Sequence, residues 1–302
     1  MSVTPRKRLI VVVGPTAVGK THLSIQLAKR FETEIISADS RQIFRELTIG
    51  TAKPSQAELA AVRHHFIDHH SIHDPYDSGR YGEEALELIE SLFQRLDQLI
   101  LCGGSGLYIK SVLEGFDEMP DIPKGIREQV IKDYQHEGLA WLQSQVAKSD
   151  PDYYSEMDTK NPQRLMRALE IIQATGKQAS ALRKSKKRAL PFDVVKIGLE
   201  LDREDLYEAI DERVDHMMAG GLLEEARQLY LYKSKNALQT VGYQELFDFI
   251  DGKYDLEEAI RLVKRNTRRY AKRQLTWFKK DAEIKWFEPN RLDQVIEYLN
   301  GK

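Results

Sequence analysis

The chain has 302 residues, and its 45 Lys and Arg residues nearly balance its 47 Asp and Glu residues, leaving a formal net charge of -2. That balance excludes a strongly basic protein, so only a local cluster of positive charge could bind nucleic acid. The single cysteine, Cys102, excludes an internal disulfide and a cysteine-based zinc site. No apolar run reaches the length of a membrane span and no signal-peptide pattern is present, so we expect a cytoplasmic protein that does not associate with membranes.

A glycine-rich loop near the N-terminus is the strongest single motif. It lies between a buried strand predicted over residues 9–13 and a helix predicted over residues 22–31. Its sequence is Gly14-Pro15-Thr16-Ala17-Val18-Gly19-Lys20-Thr21. Such a loop turns its amides toward an anion, Lys20 and the helix N-terminus add positive charge, and the Thr21 hydroxyl can reach a phosphate-bound Mg²⁺ ion. The flanking elements argue against a turn without a ligand, so the loop predicts a polyphosphate site, though not which polyphosphate.

The next segments alternate between strands and helices. They are predicted over residues 34–38 (strand), 81–96 (helix), 99–102 (strand) and 107–113 (helix). This alternation predicts an α/β fold, a P-loop doubly wound parallel sheet, in which ligands lie beyond the carboxyl ends of the strands. We therefore expect the glycine-rich loop to meet the loops at residues 39–40 and 103–105 in one cleft.

The pattern changes near residue 119. From residue 126 to about residue 184 the periodicity is helical, and the basic run at residues 184–188 resembles a solvated linker. A strand is predicted again over residues 192–201. The expected organisation is a catalytic core over residues 1–118 and 191–302, interrupted by a helical insertion domain over residues 119–190.

A histidine-rich stretch stands between the second strand and the helix at residue 81. It contains His64, His65, Asp68, His69, His70 and His73. Imidazole and carboxylate groups are metal ligands, so a metal site is one interpretation. Because an Asp-Pro turn follows and no second cluster of ligands is evident in the sequence, we favour a polar loop.

The C-terminal part is predicted to be helical, with a last strand and helix after residue 284. Its longest helix, over residues 256–280, has an apolar stripe consisting of Ile260, Val263, Thr267, Tyr270, Gln274 and Trp277. Its other faces carry Lys264, Arg265, Arg268, Arg269, Lys272, Arg273, Lys279 and Lys280, with no acidic residue between them. Such a face can simply be solvated, but like charges at this density favour a phosphate backbone as partner. In the insertion, Arg164 and Arg167 share a helix face and could bind nucleic acid or pair with Glu170.

Two further side chains sit where strands end. Asp39 could bind magnesium, act as a general base or cap a helix. The loop at residues 103–105 offers amides and the Ser105 hydroxyl to a leaving oxygen, or it is an ordinary tight turn.

Eight segments together resemble the bacterial tRNA dimethylallyltransferase family over nearly the whole chain. The matching segments are residues 14–21, 36–42 (Ile-Ser-Ala-Asp-Ser-Arg-Gln), 49–54 (Ile-Gly-Thr-Ala-Lys-Pro), 103–108, 161–167 (Asn-Pro-Gln-Arg-Leu-Met-Arg), 213–217, 241–245 (Val-Gly-Tyr-Gln-Glu) and 269–277 (Arg-Tyr-Ala-Lys-Arg-Gln-Leu-Thr-Trp). The glycine-rich loop alone is unspecific, whereas segments 49–54 and 269–277, in that order, are specific.

The resemblance implies a reaction and roles. The dimethylallyl group of dimethylallyl diphosphate would pass to the exocyclic amine of the adenosine 3′ of the anticodon, with the glycine-rich loop holding the diphosphate instead of ATP. Lys20, Arg213 and Thr21 with Mg²⁺ would stabilise the departing diphosphate, Asp39 would accept the proton, and Ser105 would hydrogen-bond the bridging oxygen. The residues expected at the tRNA anticodon stem-loop are Asp39, Ser40, Arg41, Gln42, Ser105, Arg127, Gln163, Arg164, Leu165, Met166 and Arg167, together with Arg269, Lys272 and Arg273 of the basic helix.

Two departures and two alternatives accompany this interpretation. Ser105 replaces a more usual threonine, and Arg41 replaces a more usual apolar residue. A P-loop nucleotide or small-molecule kinase would share the glycine-rich loop and the strand-end Asp39, but would leave the basic helix unexplained. An RNA-binding protein with a nucleotide switch would bind tRNA without modifying it. The expected protein is a monomer.

Overall fold

The computed structural model describes residues 7–116, 120–182 and 188–302. The chain divides into two compact units, which are Met1–Leu113 with Ala189–Lys302, and Glu114–Arg188. The predicted boundaries after residues 118 and 190 fall a few residues from this division. Residues 184–187 of the predicted basic linker lie outside the described residues.

The larger unit is built on a six-stranded, all-parallel sheet, which confirms the predicted α/β class. Its strands are β1 (Arg8–Val13), β2 (Ile35–Ser37), β3 (His64–His65), β4 (Gln98–Gly103), β5 (Asp193–Leu199) and β6 (Lys285–Phe287), in the spatial order β3-β2-β4-β1-β5-β6. Along β1, Leu9 and Val11 enter one buried cluster while Ile10 and Val12 enter another on the opposite face. A strand apolar at successive positions is therefore covered on both faces, as a doubly wound sheet requires.

Helices cover the two faces of this sheet. In the sheet unit they are α1 (Lys20–Arg30), α2 (Gln56–Ala61), α3 (Ser78–Leu92), α4 (Gly106–Leu113), α9 (Arg203–Ala219), α10 (Leu222–Leu229), α11 (Tyr243–Ile250), α12 (Leu256–Phe278) and α13 (Leu292–Asn300). Neither α2 nor β3 was predicted from the sequence. The signal for α2 was present, because Ser55 and Glu58 form a capping box at its start.

The smaller unit is helical, as the periodicity of its sequence predicts. It contains α5 (Lys124–Ser149), α6 (Pro151–Glu156), α7 (Pro162–Thr175) and α8 (Ala179–Leu182). α5 is broken at Gly138, whose φ of 80° lies in the left-handed region. The buried residues of this unit form a hydrophobic core of their own, which includes Val130, Leu142 and Leu165. Within the described residues, no helix has both the length and the apolar character needed to cross a membrane.

Strand register explains where the functional loops start. Val13 at the end of β1 pairs with Gly103 in β4 and with Gly198 in β5. Ser37 at the end of β2 pairs with Cys102. The loops after β1, β2 and β4 therefore leave the sheet at one edge and at nearly the same height.

Candidate functional site

The glycine-rich loop has the backbone conformation that its sequence predicts. Gly14 has a φ of 149°, and a Cβ there would lie 2.7 Å from the Leu199 carbonyl oxygen, so no larger residue fits. Gly19, at φ 91°, is the N-cap of α1 and has no side chain to cap the helix. The first amides of α1 therefore remain available to an anion.

The three strand-end loops meet in one cleft of about 660 Å³ within the sheet unit. Its wall includes Thr16, Lys20 and Thr21 from the glycine-rich loop, Asp39 after β2, Gly103 at the end of β4 and Gly104 after it. A Cβ on Gly103 would lie 2.1 Å from the Ala38 carbonyl oxygen. Glycine at this position thus allows the β4 loop to approach Asp39.

The cleft holds more positive than negative charge. Lys20, Arg41, Arg213 and Arg273 line it together with the carboxylates of Asp39 and Glu58. Burial lowers the pKa of Lys20 to about 8, and the nearby Arg213 guanidinium acts in the same direction. Burial also lowers the pKa of Arg41 and of Arg213, against the opposing effect of Asp39. Partly desolvated cations that outnumber their carboxylates favour a polyanionic ligand.

Asp39 holds a turn with one carboxylate oxygen. Its Oδ1 accepts the amide N–H groups of Arg41 at 2.9 Å and Gln42 at 3.3 Å. The residues that follow form a turn instead of a helix, so the helix-cap interpretation is wrong. Among the described residues no hydrogen bond reaches Oδ2, and this second oxygen is available as a base.

Ser105 lies one residue beyond the part of the β4 loop that lines the cleft. Its hydroxyl oxygen accepts the Ser40 amide N–H at 3.0 Å and lies 3.2 Å from the Ser40 hydroxyl. In this arrangement Ser105 connects the β4 loop to the β2 loop. The predicted contact of Ser105 with a bridging oxygen stays a prediction.

The helix α12 forms one wall of the cleft, which corrects the predicted apolar stripe. Thr267, Tyr270 and Gln274 of that stripe line the cleft, and Trp277 is 38% exposed. The buried residues of α12 are Ala259, Val263, Ala271, Gln274 and Phe278, so the predicted stripe is confirmed at Val263 and Gln274 only. Burial and the Asp39 carboxylate raise the pKa of Tyr270 to about 12, so its phenol stays neutral at physiological pH.

Some of the positive charges of α12 are paired with carboxylates, although no acidic residue lies between them in the sequence. Lys264 and Arg268 pair with Asp215 at 2.7 Å and Asp211 at 2.6 Å on α9, and Lys279 pairs with Glu200. Four exposed cations have no ion pair among the described residues. These four, named the α12 basic patch, are Arg269, Lys272, Arg273 and Lys280, and they surround a shallow pocket with Thr276 and Trp277.

In the helical unit the predicted tRNA contacts divide into exposed and buried residues. Arg127, Gln163 and Arg164 are exposed. Leu165 and Met166 are buried in the core of this unit, which corrects the prediction that their side chains contact tRNA. Arg167 forms the suggested ion pair with Glu170, whose buried carboxylate lies 3.3 Å away. Arg127 lies 3.9 Å from the same carboxylate.

The histidine-rich stretch is partly a strand. His64 and His65 form β3, and His65 lies 2.7 Å from Glu34. Contrary to expectation, a carboxylate does approach the other histidines, since Glu84 of α3 lies within 4.0 Å of His69 and His70. That carboxylate already accepts hydrogen bonds from Arg80 at 2.7 Å and from Tyr76 at 2.8 Å. These contacts therefore connect the loop after β3 to α3.

A hydrogen-bond network that was not predicted from the sequence shapes the loop before α2. The Glu225 carboxylate accepts the amide N–H groups of Thr48, Ile49 and Gly50 at 2.8–3.1 Å and the Tyr243 hydroxyl at 2.5 Å. A Cβ on Gly50 would lie 2.6 Å from the Tyr243 ring. Gly50 and Tyr243 of this network lie in segments 49–54 and 241–245, two of the motifs that carry the family resemblance. Gln42, predicted to contact tRNA, donates its side-chain N–H to the carbonyls of Thr51 and Ala52.

These features define a class of protein, an α/β protein of the P-loop type whose cleft suits a phosphate-bearing substrate and whose wall is a partly basic helix. Comparison with known proteins identifies the family within that class. A family model described as IPP transferase matches residues 42–281. The chain belongs to the IPP transferase family.

Individual relatives match over almost the full length. A tRNA dimethylallyltransferase from Christiangramia forsetii is 51% identical over 295 residues, covering 97% of this chain and 98% of its own. One from Cytophaga hutchinsonii is 48% identical over 296 residues, covering 98% and 97%. These alignments include the glycine-rich loop, which lies before the segment that the family model matches.

Solved structures agree with this assignment. The full-length tRNA isopentenylpyrophosphate transferase from Bacillus halodurans matches with a TM-score of 0.73 at 36% identity, covering 98% of this chain and 96% of its own. A eukaryotic dimethylallyltransferase, studied while acting on tRNA, matches with a TM-score of 0.77 at 28% identity, covering 98% and 80%.

Proposed function

We propose that this protein transfers a dimethylallyl group from dimethylallyl diphosphate to the exocyclic amine of the adenosine 3′ of the anticodon in tRNA, releasing diphosphate. The observation that carries the proposal is the placement of an anion-binding loop, several Lys and Arg residues and the Asp39 carboxylate in one cleft, in a chain whose relatives include tRNA dimethylallyltransferases. We further propose that it acts as a monomer in the cytoplasm.

The leaving group determines what the cleft must do. Cleaving an allylic carbon–oxygen bond develops positive charge on carbon and negative charge on the departing diphosphate. Amides of the glycine-rich loop, Lys20 and Arg213 face that negative charge and stabilise it more strongly as it grows. The helix α12 covers one side of the cleft and would reduce the access of water, which would otherwise capture the allylic cation.

Magnesium fits the donors available in this cleft. Thr21, Ser37 and Asp39 are among the residues of its wall, and hard oxygen donors are the ligands that Mg²⁺ prefers. Thr21 would hold the ion, which would neutralise part of the diphosphate charge. We propose Mg²⁺ as the cofactor on this donor set.

The acceptor must enter the cleft as a single base. An adenine stacked in an anticodon loop cannot reach Asp39, so the base has to turn out of its stack. The free Oδ2 of Asp39 would then receive the proton that the exocyclic amine loses as the new carbon–nitrogen bond forms. The α12 basic patch and the exposed Arg127, Gln163 and Arg164 would bind the RNA backbone.

One incubation tests the proposal. The protein, tRNA, Mg²⁺ and labelled dimethylallyl diphosphate are combined, and the nucleosides of the recovered tRNA are separated and identified. We expect label in a modified adenosine next to the anticodon and an equal amount of released diphosphate. Binding of tRNA without incorporation of label would contradict the proposal and favour an RNA-binding protein.

A further inference from the structure

Gln274 lies at the junction of three functional segments. It projects from α12, is only 6% exposed, and its Oε1 accepts the amide N–H of Thr16 in the glycine-rich loop at 2.8 Å. Its Nε2 donates to the carbonyl oxygen of Gly104 in the β4 loop at 2.9 Å. The two backbones fix the orientation of the carboxamide, because one offers only a donor and the other only an acceptor.

Two glycines after β4 have no room for a side chain next to α12. A Cβ on Gly104 would lie 2.3 Å from Nε2 of Gln274, and a Cβ on Gly106 would lie 2.2 Å from the Trp277 indole nitrogen. The glycines of this loop thus permit α12 to approach, and the approach brings the Gln274 carboxamide onto the glycine-rich loop.

The hydrogen bond to Thr16 reaches Lys20 through a single peptide group. The Thr16 N–H and the Pro15 C=O belong to the same planar unit and point in opposite directions. Gln274 accepts from the N–H, while the C=O accepts from the Lys20 ammonium at 2.6 Å. The hydrogen bond to the Thr16 N–H fixes the plane of this peptide group. It therefore also fixes the Pro15 carbonyl oxygen, to which Lys20 donates.

We propose that Gln274 is the positioning residue for Lys20, orienting its ammonium group toward the diphosphate through the Pro15–Thr16 peptide. This inference rests on the proposed function in so far as the ligand is a diphosphate. Gln274 does not touch the reacting atoms. It acts through Lys20, and without it the peptide can rotate and the ammonium loses its fixed acceptor.

A double-mutant cycle tests this role. Binding of inorganic pyrophosphate with Mg²⁺ is measured by calorimetry for the wild type, Gln274→Met, Lys20→Ala and the double variant. We expect Gln274→Met, which keeps the shape of the side chain, to weaken binding about tenfold. In the Lys20→Ala background the same change should alter binding by less than about twofold, because the group it positions is gone.

A stability control separates positioning from simple damage to the fold. Phe278→Leu alters a buried residue of the same helix outside the cleft wall, and we expect it to lower the unfolding temperature without changing pyrophosphate binding. If Gln274→Met does not fold, Gln274→Asn, which is one methylene too short to reach both backbones, replaces it in the cycle.

The outcomes are distinct. Losses that multiply in the double variant would overturn the proposal, as would a Gln274 variant that binds pyrophosphate like the wild type. The proposed transferase function fails separately, if the wild type binds pyrophosphate but never labels tRNA. In that case the cycle still decides whether Gln274 acts through Lys20.

Discussion

The cleft cations and the α12 basic patch are two positively charged regions of one unit, and their surroundings differ. Lys20 and Arg213 are partly desolvated, close to Asp39, and have lowered pKa values. The patch residues are exposed, with no ion pair among the described residues. Buried charge gives an interaction that depends on geometry, whereas exposed charge gives affinity that salt screens. The first region suits the chemistry of one leaving group and the second suits a long polyanion.

Removal of the base in the cleft should have the largest effect and should distinguish the role of the cleft from that of the patch. Asp39→Asn should lower the rate of transfer by about 1,000-fold, because its amide can still accept the turn hydrogen bonds of Oδ1 but cannot take a proton. Asp39→Ala should abolish transfer and also loosen the turn. Single-turnover rates and tRNA affinity are measured together, and we expect tRNA affinity to stay within about twofold for Asp39→Asn.

A parallel loss of affinity and rate would show that Asp39 acts by positioning the RNA. Full activity of Asp39→Asn would exclude a proton transfer to this carboxylate. Either result would remove the functional difference between the two regions.

The complementary change removes charge from the patch. The triple variant Arg269→Ala, Lys272→Ala and Lys280→Ala leaves out Arg273, which also lines the cleft, and should weaken tRNA binding in low salt and reduce the slope of log affinity against log salt concentration by about 2 to 3. The matched control is Lys264→Ala with Arg268→Ala, which removes cations of the same helix already paired with α9. We expect a smaller change in slope for this control, and equal slopes would show that the patch is not an RNA contact.

The smallest expected effect is a pH dependence confined to the cleft. Lys20, with a pKa lowered to about 8 by burial, is charged below that pH and loses its charge above it. A bound diphosphate raises this pKa, so pyrophosphate affinity should fall as the pH rises from 8, by at most about tenfold for each unit of the increase. Calorimetry of wild type and Lys20→Ala checks this, since the variant should lack the step, and a step that persists in the variant would assign it to another group.

Much of the core could be predicted from the sequence, for identifiable reasons. Strands β1 and β4 are apolar at successive positions because both faces are buried, and the glycine-rich loop needs two glycines for its backbone. Strand β3 has only two residues, too few to show any periodicity.

Features that depend on spatial neighbours were beyond reach. The carboxylates that neutralise Lys264 and Arg268 lie about fifty positions away on α9, so α12 looks uniformly basic when read alone. The predicted apolar stripe of α12 is only partly correct, because one side of the helix faces a cleft, which polar residues such as Thr267 and Gln274 line.

The case of Leu165 and Met166 is different, because the information was available. Both were included as part of a contiguous motif, although a helix turns successive side chains through about 100° and cannot expose all of them. Arg164 and Arg167 are three positions apart and share one face of the helix, whereas the apolar Leu165 and Met166 between them point to another. This spacing indicates an exposed side and a buried side. Contiguity in a motif is thus weaker evidence for a shared surface than helical spacing.

Competition for the glycine-rich loop tests the central claim most directly. Labelled dimethylallyl diphosphate is bound to the protein with Mg²⁺ but without tRNA, so that the donor is not consumed, and its displacement by pyrophosphate and by ATP is compared at equal concentrations. tRNA is then added to the sample with ATP to test for phosphoryl transfer. The account predicts that pyrophosphate displaces the donor and that ATP displaces it poorly, with no phosphoryl group passing to RNA. Preferential displacement by ATP, accompanied by transfer of its terminal phosphoryl group, would contradict the account and make the protein a kinase.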